Sequence, residues 1–423
     1  MLTSEIQKAY IAILQEELIL ATGCTEPIAV AYAAAQLREA LGGIPERIRA
    51  EISGNILKNV KSVVVPNTGG LKGIKAAIAA GIIAGEAQKE LQVISTVAPE
   101  LHKEIALYME TTPIEIDCPP TTRMLDIRLT GWLESHKAVS HVANNHSNLI
   151  YLERDGQILL KKPAGNSAED GLTDKGLLNL QDILKFAASV EISLVEELLE
   201  RQIHYNSAIA EKGVKNDWGA NIGSTRLKYY GDDIKNEAAA WAAAGSDARM
   251  SGCEMPVVIN SGSGNQGITA SLPVIRYAKH LGANQEQLYR ALLVSNLVTV
   301  YQKAGIGRLS AYCGAVSAGV GAGAGIAYLR GATYDAIAHT IINAVSILSG
   351  TICDGAKPSC AAKIASAVDA GILGYQMHLN GQDFHGGDGI VGNDLHQTIV
   401  NIGILAREGM QQTDRTILEI MTQ

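Results

Sequence analysis

The run Ser349-Gly-Thr-Ile-Cys353-Asp-Gly-Ala-Lys357-Pro-Ser-Cys360-Ala-Ala-Lys363 sets two cysteines, six residues between them, around a turn that opens into a helix. Before it, Ala336–Leu348 carries apolar residues at helical spacing and stops at Ser349-Gly350. After it, Pro358 and Ser359 suit the first positions of a helix expected to continue through Ala370, with Gly371 as a stop. Two thiols across such a turn can converge on one point, and N–H groups at the helix start favour their thiolate forms. A metal or cluster is one reading; a pair of small cysteines buried in a Gly/Ala-rich core is the other.

Working outward, the chain from Leu177 to Gln423 reads as helices broken by glycine loops, and so do the first ninety residues. Between them the pattern shortens to β-rich runs: Ile114–Cys118, Leu125–Leu129, His136–Val142, and Ile150–Glu153 with Gln157–Leu160 as a hairpin around Arg154-Asp-Gly156. The expected fold class is α+β. A largely helical main domain of closely packed Gly/Ala-rich helices (1–90 and 163–423) carries a small inserted α+β module (91–162), with Pro163-Ala-Gly-Asn-Ser as the return linker.

The 423 residues are 47% hydrophobic but only 4% aromatic, so the core is to be filled by small and aliphatic side chains that let backbones approach closely. A net charge of −8 leaves no basic footprint for nucleic acid. Leu309–Leu329 has no charged residue, yet its Gly/Ala/Ser content fits a buried central helix better than a membrane span. The N-terminus has no signal-peptide pattern, which points to the cytoplasm. In a reducing compartment the six cysteines (24, 118, 253, 313, 353 and 360) are ligands, nucleophiles or core rather than disulfides.

Cys313 is the best third partner for Cys353 and Cys360, because it starts the charge-free helix and precedes Gly314. Three thiolates suit three irons of a [4Fe–4S] cube and leave the fourth iron open as a Lewis acid. Structural zinc lacks its C-x₂-C pair. Ala21-Thr-Gly-Cys24-Thr-Glu-Pro27 holds a thiol at a glycine turn before a helix, either a reactive residue or a small residue beside a cap. Two loops offer backbone N–H groups to a carboxylate: one contains Thr68 and Gly69, the other Ser261, Gly262 and Asn265. Neither fits a nucleotide fingerprint in its required setting, and ordinary turns account for them as well. Lys357 and Lys363 are candidates to neutralise a carboxylate or a cluster, or are solvated surface lysines. His141 and His146 lack a carboxylate at ligand spacing, Cys118 reads as a strand end, and Cys253 reads as structural.

Taken together, Ala-Thr-Gly-Cys24-Thr-Glu-Pro, Val-Val-Ile-Asn260-Ser-Gly-Ser-Gly-Asn-Gln-Gly, Cys313, and Cys353-Asp-Gly-Ala-Lys-Pro-Ser-Cys360-Ala-Ala-Lys resemble the L-cysteine desulfidase family, over nearly the whole chain. That family is related to the α chain of the iron–sulfur L-serine dehydratases. The resemblance implies Cys313, Cys353 and Cys360 as the three ligands of a [4Fe–4S] cluster with one open iron, and Cys24 as the reactive residue near it. It implies a carbon–sulfur lyase that converts L-cysteine to sulfide, ammonia and pyruvate without redox change; pyridoxal phosphate is not implied, since no lysine stands in a recognisable cofactor-binding pattern. The chain has neither a C-terminal cysteine nor the Ser-Ser-Ser-His-Thr type of motif of the serine-specific relatives, so cysteine is favoured over serine. The alternatives are an L-serine dehydratase using the same iron and a non-catalytic metal-binding or sensor protein. The expected partner is a small amino-acid substrate, with a homo-oligomer allowed.

Overall fold

A computed structural model describes residues 2–121, 123–163, 172–307 and 310–422. The expected return linker after Pro163 lies largely outside the described residues.

The five β-rich runs are strands, and a sixth joins them. β2 (Arg47–Ile52), β3 (Ile114–Asp117), β4 (Asp126–Leu133), β5 (His136–Ala143), β6 (Leu149–Arg154) and β7 (Gln157–Lys161) form one mixed sheet in the order β3-β2-β4-β5-β6-β7. Only β2 and β3 are parallel, and the residues between them supply the crossover that parallel pairing requires. Alternation places Ile127, Leu129, Ala138 and Val142 on the covered face. There the helix Thr25–Leu41 lies against the sheet, and Ser140 Oγ donates to Ala33 O at 2.7 Å.

Two large hydrophobic cores result. One joins the sheet to the helices Thr25–Leu41 and Gly73–Ala84; the other joins the helix Ser4–Glu17 to the helices from Leu180 onward. Residues 28–82, which the sequence groups with the later helices, thus share their core with the sheet instead. The unrecognised strand β2 is the reason: its Ile48, Ala50 and Ile52 are buried in alternation and bring the neighbouring helices with them.

In the second core the helix Gly314–Leu329 is central, buried throughout residues 315–327, with helices Gly264–Leu281, Gln285–Ile306, Tyr334–Leu348 and Cys360–Leu379 around it. No helix among the described residues is long and apolar enough to cross a membrane. Helix Cys360–Leu379 does not stop at Gly371 as expected. That glycine instead permits a close helix crossing, since a Cβ at Gly323 would lie 2.5 Å from Gly371 O.

Candidate functional site

A short ribbon sets up the site. β1 (Leu20–Thr22) pairs antiparallel with β8 (Pro256–Val258), so the segments leading to Cys24 and to the Asn260 turn run side by side. Asn260 and Ser263 exchange N–H···O bonds of 3.1 and 3.0 Å around Ser261 (φ 49°) and Gly262 (φ 78°), a tight turn of the primed kind that favours glycine. Thr25 Oγ1 donates to Gly262 O at 3.2 Å and ties the two helix starts together.

A second pairing places the other cysteines. Tyr312 and Ile352 form an antiparallel bridge, flanked by Cys313 N→Thr351 O (3.1 Å) and Cys353 N→Ala311 O (2.6 Å). Side chains alternate across a bridge, so Cys313 and Cys353 share the face opposite Tyr312 and Ile352. Cys360 begins the next helix, and its Sγ lies 3.6 Å from Gly355 O.

These elements enclose a cavity of about 100 Å³ lined by Cys24, Cys313, Cys353 and Cys360 together. It lies where the two cores meet: Asn55 and Asn59 reach it from the helix Gly54–Val60, and Cys24 and Glu26 from the start of the helix Thr25–Leu41, both on the sheet side, while the rest of the lining comes from the helical side. Four helices start at it, capped by Cys24, Ser263 and Cys313 or beginning at Cys360, and none of these four caps bonds its helix through a side chain. At the Cys360 start the first N–H groups bond back to Lys357 O and Pro358 O, whereas the dipoles of all four converging helix starts favour an anion.

Burial outweighs those dipoles for the thiols themselves. Desolvation pushes the Cys24 thiol up to about 12 although the Arg249 charge pulls it down. Cys313 is likewise pushed up to about 12 by burial and then by the neighbouring Cys353, and burial raises Cys360. The expected lowering of these thiols by helix starts is therefore not what this cavity produces on its own. All six cysteines are free thiols. Among the described residues, no group of three or more His, Cys, Asp and Glu is gathered closely enough to hold a single metal ion.

Of the residues singled out for substrate binding, Gly262 and Asn265 line the cavity, whereas Ser261 sits just behind, bonding Asn260 Oδ1 at 2.9 Å. Thr68 Oγ1 donates to Val65 O within its own loop, and neither Thr68 nor Gly69 is among the lining residues. Lys357 and Lys363 both clamp the Asp354 carboxylate at 2.5 Å, so the Lys357 charge is directed there and not into the cavity. Cys253 is core and Cys118 exposed. His141 does have a carboxylate partner, Asp126, on the neighbouring strand.

Most of the polar lining lies outside the residues that the sequence singles out. Arg249, Gln266, Asn55, Glu26 and Lys303 all reach the cavity. Arg249 is 4% exposed; its Nη2 donates to Gly23 O at 2.8 Å and its Nη1 to Asn265 Oδ1 at 3.1 Å. The signal was present in the sequence: Asp247 and Arg249 are the charges that interrupt an Ala/Gly run from Ala238 to Met250. Arg249 Nε, Gln266 Oε1 and Asn55 Oδ1 are buried without a hydrogen-bond partner. Each such atom costs about 1–3 kcal/mol until something binds it.

The profile of the serine dehydratase alpha chain family matches residues 75–419. A UPF0597 protein of Desulfitobacterium hafniense (strain Y51) is 55% identical over 98% of this chain and 96% of its own length. UPF0597 proteins of Lachnoclostridium phytofermentans (49%, over 98% of this chain and 99% of that one) and Treponema denticola (46%, over 97% of each) are similar along the same extent. A match covering most of the chain, together with relatives of this similarity, assigns it: the chain belongs to the serine dehydratase alpha chain family.

Proposed function

We propose that this protein is an iron–sulfur-dependent lyase that eliminates sulfide from L-cysteine without redox change. The supporting observation is that the four cysteines singled out by sequence line one cavity at which four helices start. The donor set fits a cluster better than one ion. A single zinc, with Zn–S bonds of about 2.3 Å, would draw three sulfurs to within about 4 Å of one another, and no such tight group exists among the described residues. A cluster that takes each thiolate at a different iron tolerates a wider spacing, and the helix starts offset the negative charge of several thiolates.

Cys313, Cys353 and Cys360 would hold the cluster. When bound, a [4Fe–4S] cluster with an iron free of protein ligands supplies Lewis-acid polarisation of the departing group. The chain supplies the rest. Cys24, as thiolate, takes the α-proton of L-cysteine, and the C–H electron pair forms the Cα–Cβ double bond as the Cβ–S pair leaves with sulfide. The released aminoacrylate tautomerises and takes up water to give pyruvate and ammonia. Arg249 stands beside Cys24 and favours its thiolate, against the burial that opposes it. Positioned proton transfer of this kind contributes about 10²–10⁴-fold.

L-serine dehydration is the second reading, favoured by the family match, since water and sulfide leave from the same carbon. Anaerobic reconstitution with iron and sulfide, followed by assay of pyruvate from L-cysteine and L-serine side by side, separates the two. Faster turnover of L-cysteine is expected, and dominant turnover of L-serine moves the assignment to dehydratase.

A further inference from the structure

We infer that Arg249 and Gln266, with Asn55, form the clamp that recognises the two ends of an α-amino acid in this cavity: Arg249 the carboxylate, Gln266 and Asn55 the ammonium group. The inference rests on the lyase reading for its setting, but on separate observations for its content.

Arg249 is a buried cation beside the Cys24 thiol, with no carboxylate paired to it among the described residues. Gly23 O and Asn265 Oδ1 accept from it, and it makes no ion pair with any described residue. A guanidinium so enclosed calls for an anion, and a carboxylate matches its planar fork. Its Nε is one of the three unpartnered atoms of the lining.

The other two, Gln266 Oε1 and Asn55 Oδ1, are acceptors, each on a side chain at least nine-tenths buried. Together with the Glu26 carboxylate they give the cavity what an ammonium group needs and a simple carboxylic acid does not. One unpaired donor beside unpaired acceptors selects a zwitterion over a 2-hydroxy acid or an amine.

The space for this set is built in. A Cβ at Gly264 would lie 2.3 Å from Arg249 Nε, and a Cβ at Gly314 would lie 2.7 Å from the Gln266 amide. Glycine at these two helix starts therefore makes room for the two side chains. Lys357, expected from sequence to meet the carboxylate, is held by Asp354 and does not line the cavity, whereas Arg249 does.

The test uses three unreactive probes on the reconstituted protein by calorimetry: L-alanine, propionate (carboxylate only) and ethylamine (ammonium only). Wild type binds L-alanine more tightly than either fragment. Arg249→Gln weakens L-alanine and propionate by roughly 10- to 100-fold, the range of a charged hydrogen bond, and leaves ethylamine unchanged. Gln266→Leu shows the opposite selectivity, weakening L-alanine and ethylamine while sparing propionate. Wild-type protein that binds none of the probes, or variants that lose all three alike, overturns the clamp. So does an Arg249→Gln protein that keeps its L-alanine affinity and KM while its pH–rate profile moves, because Arg249 then acts only on Cys24. The selective pattern in a protein that yields neither sulfide nor pyruvate keeps the clamp and removes the lyase reading. Elimination with an unchanged KM in Arg249→Gln does the reverse.

Discussion

Cys313 and Cys353 are held on one face of a two-residue antiparallel bridge, through Cys313 N→Thr351 O at 3.1 Å and Cys353 N→Ala311 O at 2.6 Å. Forty residues apart in sequence, they are fixed by backbone bonds rather than by a shared helix. Cys313→Ser, Cys353→Ser and Cys360→Ser are each expected to lose most of the iron and visible absorption after anaerobic reconstitution. Cys118→Ser and Cys253→Ser, outside the cavity, should retain both. Metal analysis and absorption spectra of the five variants check this.

Gly264 is expected to be intolerant of a side chain. Gly264→Ala drives a methyl against Arg249 Nε, and such overpacking costs about 1–3 kcal/mol or displaces the arginine. Turnover should fall at least about tenfold while circular dichroism stays native, the lower end of what a misplaced binding group costs. Gly350→Ala, whose methyl meets nothing within 4 Å, should change neither readout.

Lys58 and Asp414 form an ion pair at 2.5 Å in which the lysine is 1% exposed. It docks the C-terminal helix Gln411–Thr422 on the short helix that carries Asn55 and Asn59. Removing the carboxylate strands a buried ammonium, so Asp414→Ala should destabilise by about 3 kcal/mol and Lys58→Met by less. Urea unfolding midpoints of the two variants measure the difference.

Asp247 is buried, with one carboxylate oxygen accepting from Gly223 N at 2.9 Å, and burial pushes it up to about 6. A carboxyl group whose folded value lies above its unfolded value binds more protons in the native state, so its contribution to stability falls as pH rises from about 4 to about 6. Asp247→Asn can still accept from Gly223 and removes the titration. The stability difference between Asp247→Asn and wild type should grow by up to about 3 kcal/mol in favour of the variant between pH 4 and pH 7, measured by urea unfolding at both pH values.

What could be read in the sequence was what depends on local pattern. The strands between Ile114 and Lys161 follow from period-two alternation and the Asp155-Gly156 turn, and the helix starts at Cys24, Cys313 and Cys360 from glycine, proline and charge-free runs. The thiols were found because cysteine is rare and chemically marked. What could not be read depends on packing between distant segments. β2 carries the same alternation, Arg47-Ile-Arg-Ala-Glu-Ile52, and was legible in principle; what its sequence does not tell is that it pairs with β3 and β4, far along the chain. Gly371 looked like a stop because glycine is a poor helix former, yet it lies inside a helix where another backbone comes close. Lys357 is claimed by Asp354, three residues before it, and Arg249, which stands out only as a charge in an Ala/Gly run, owes its place at the cavity to the fold that encloses it.

The central claim is that Cys24 serves an elimination carried out beside a cluster held by the other three thiols. Its most direct test is the release of sulfide and pyruvate from L-cysteine by anaerobically reconstituted wild-type and Cys24→Ala protein, with iron measured on the same samples. Equal iron is expected in both, with equimolar sulfide and pyruvate from the wild type and turnover reduced at least about 100-fold in the variant. A Cys24→Ala protein that turns over L-cysteine at the wild-type rate, or a cluster-loaded wild type that turns over neither L-cysteine nor L-serine, contradicts the claim.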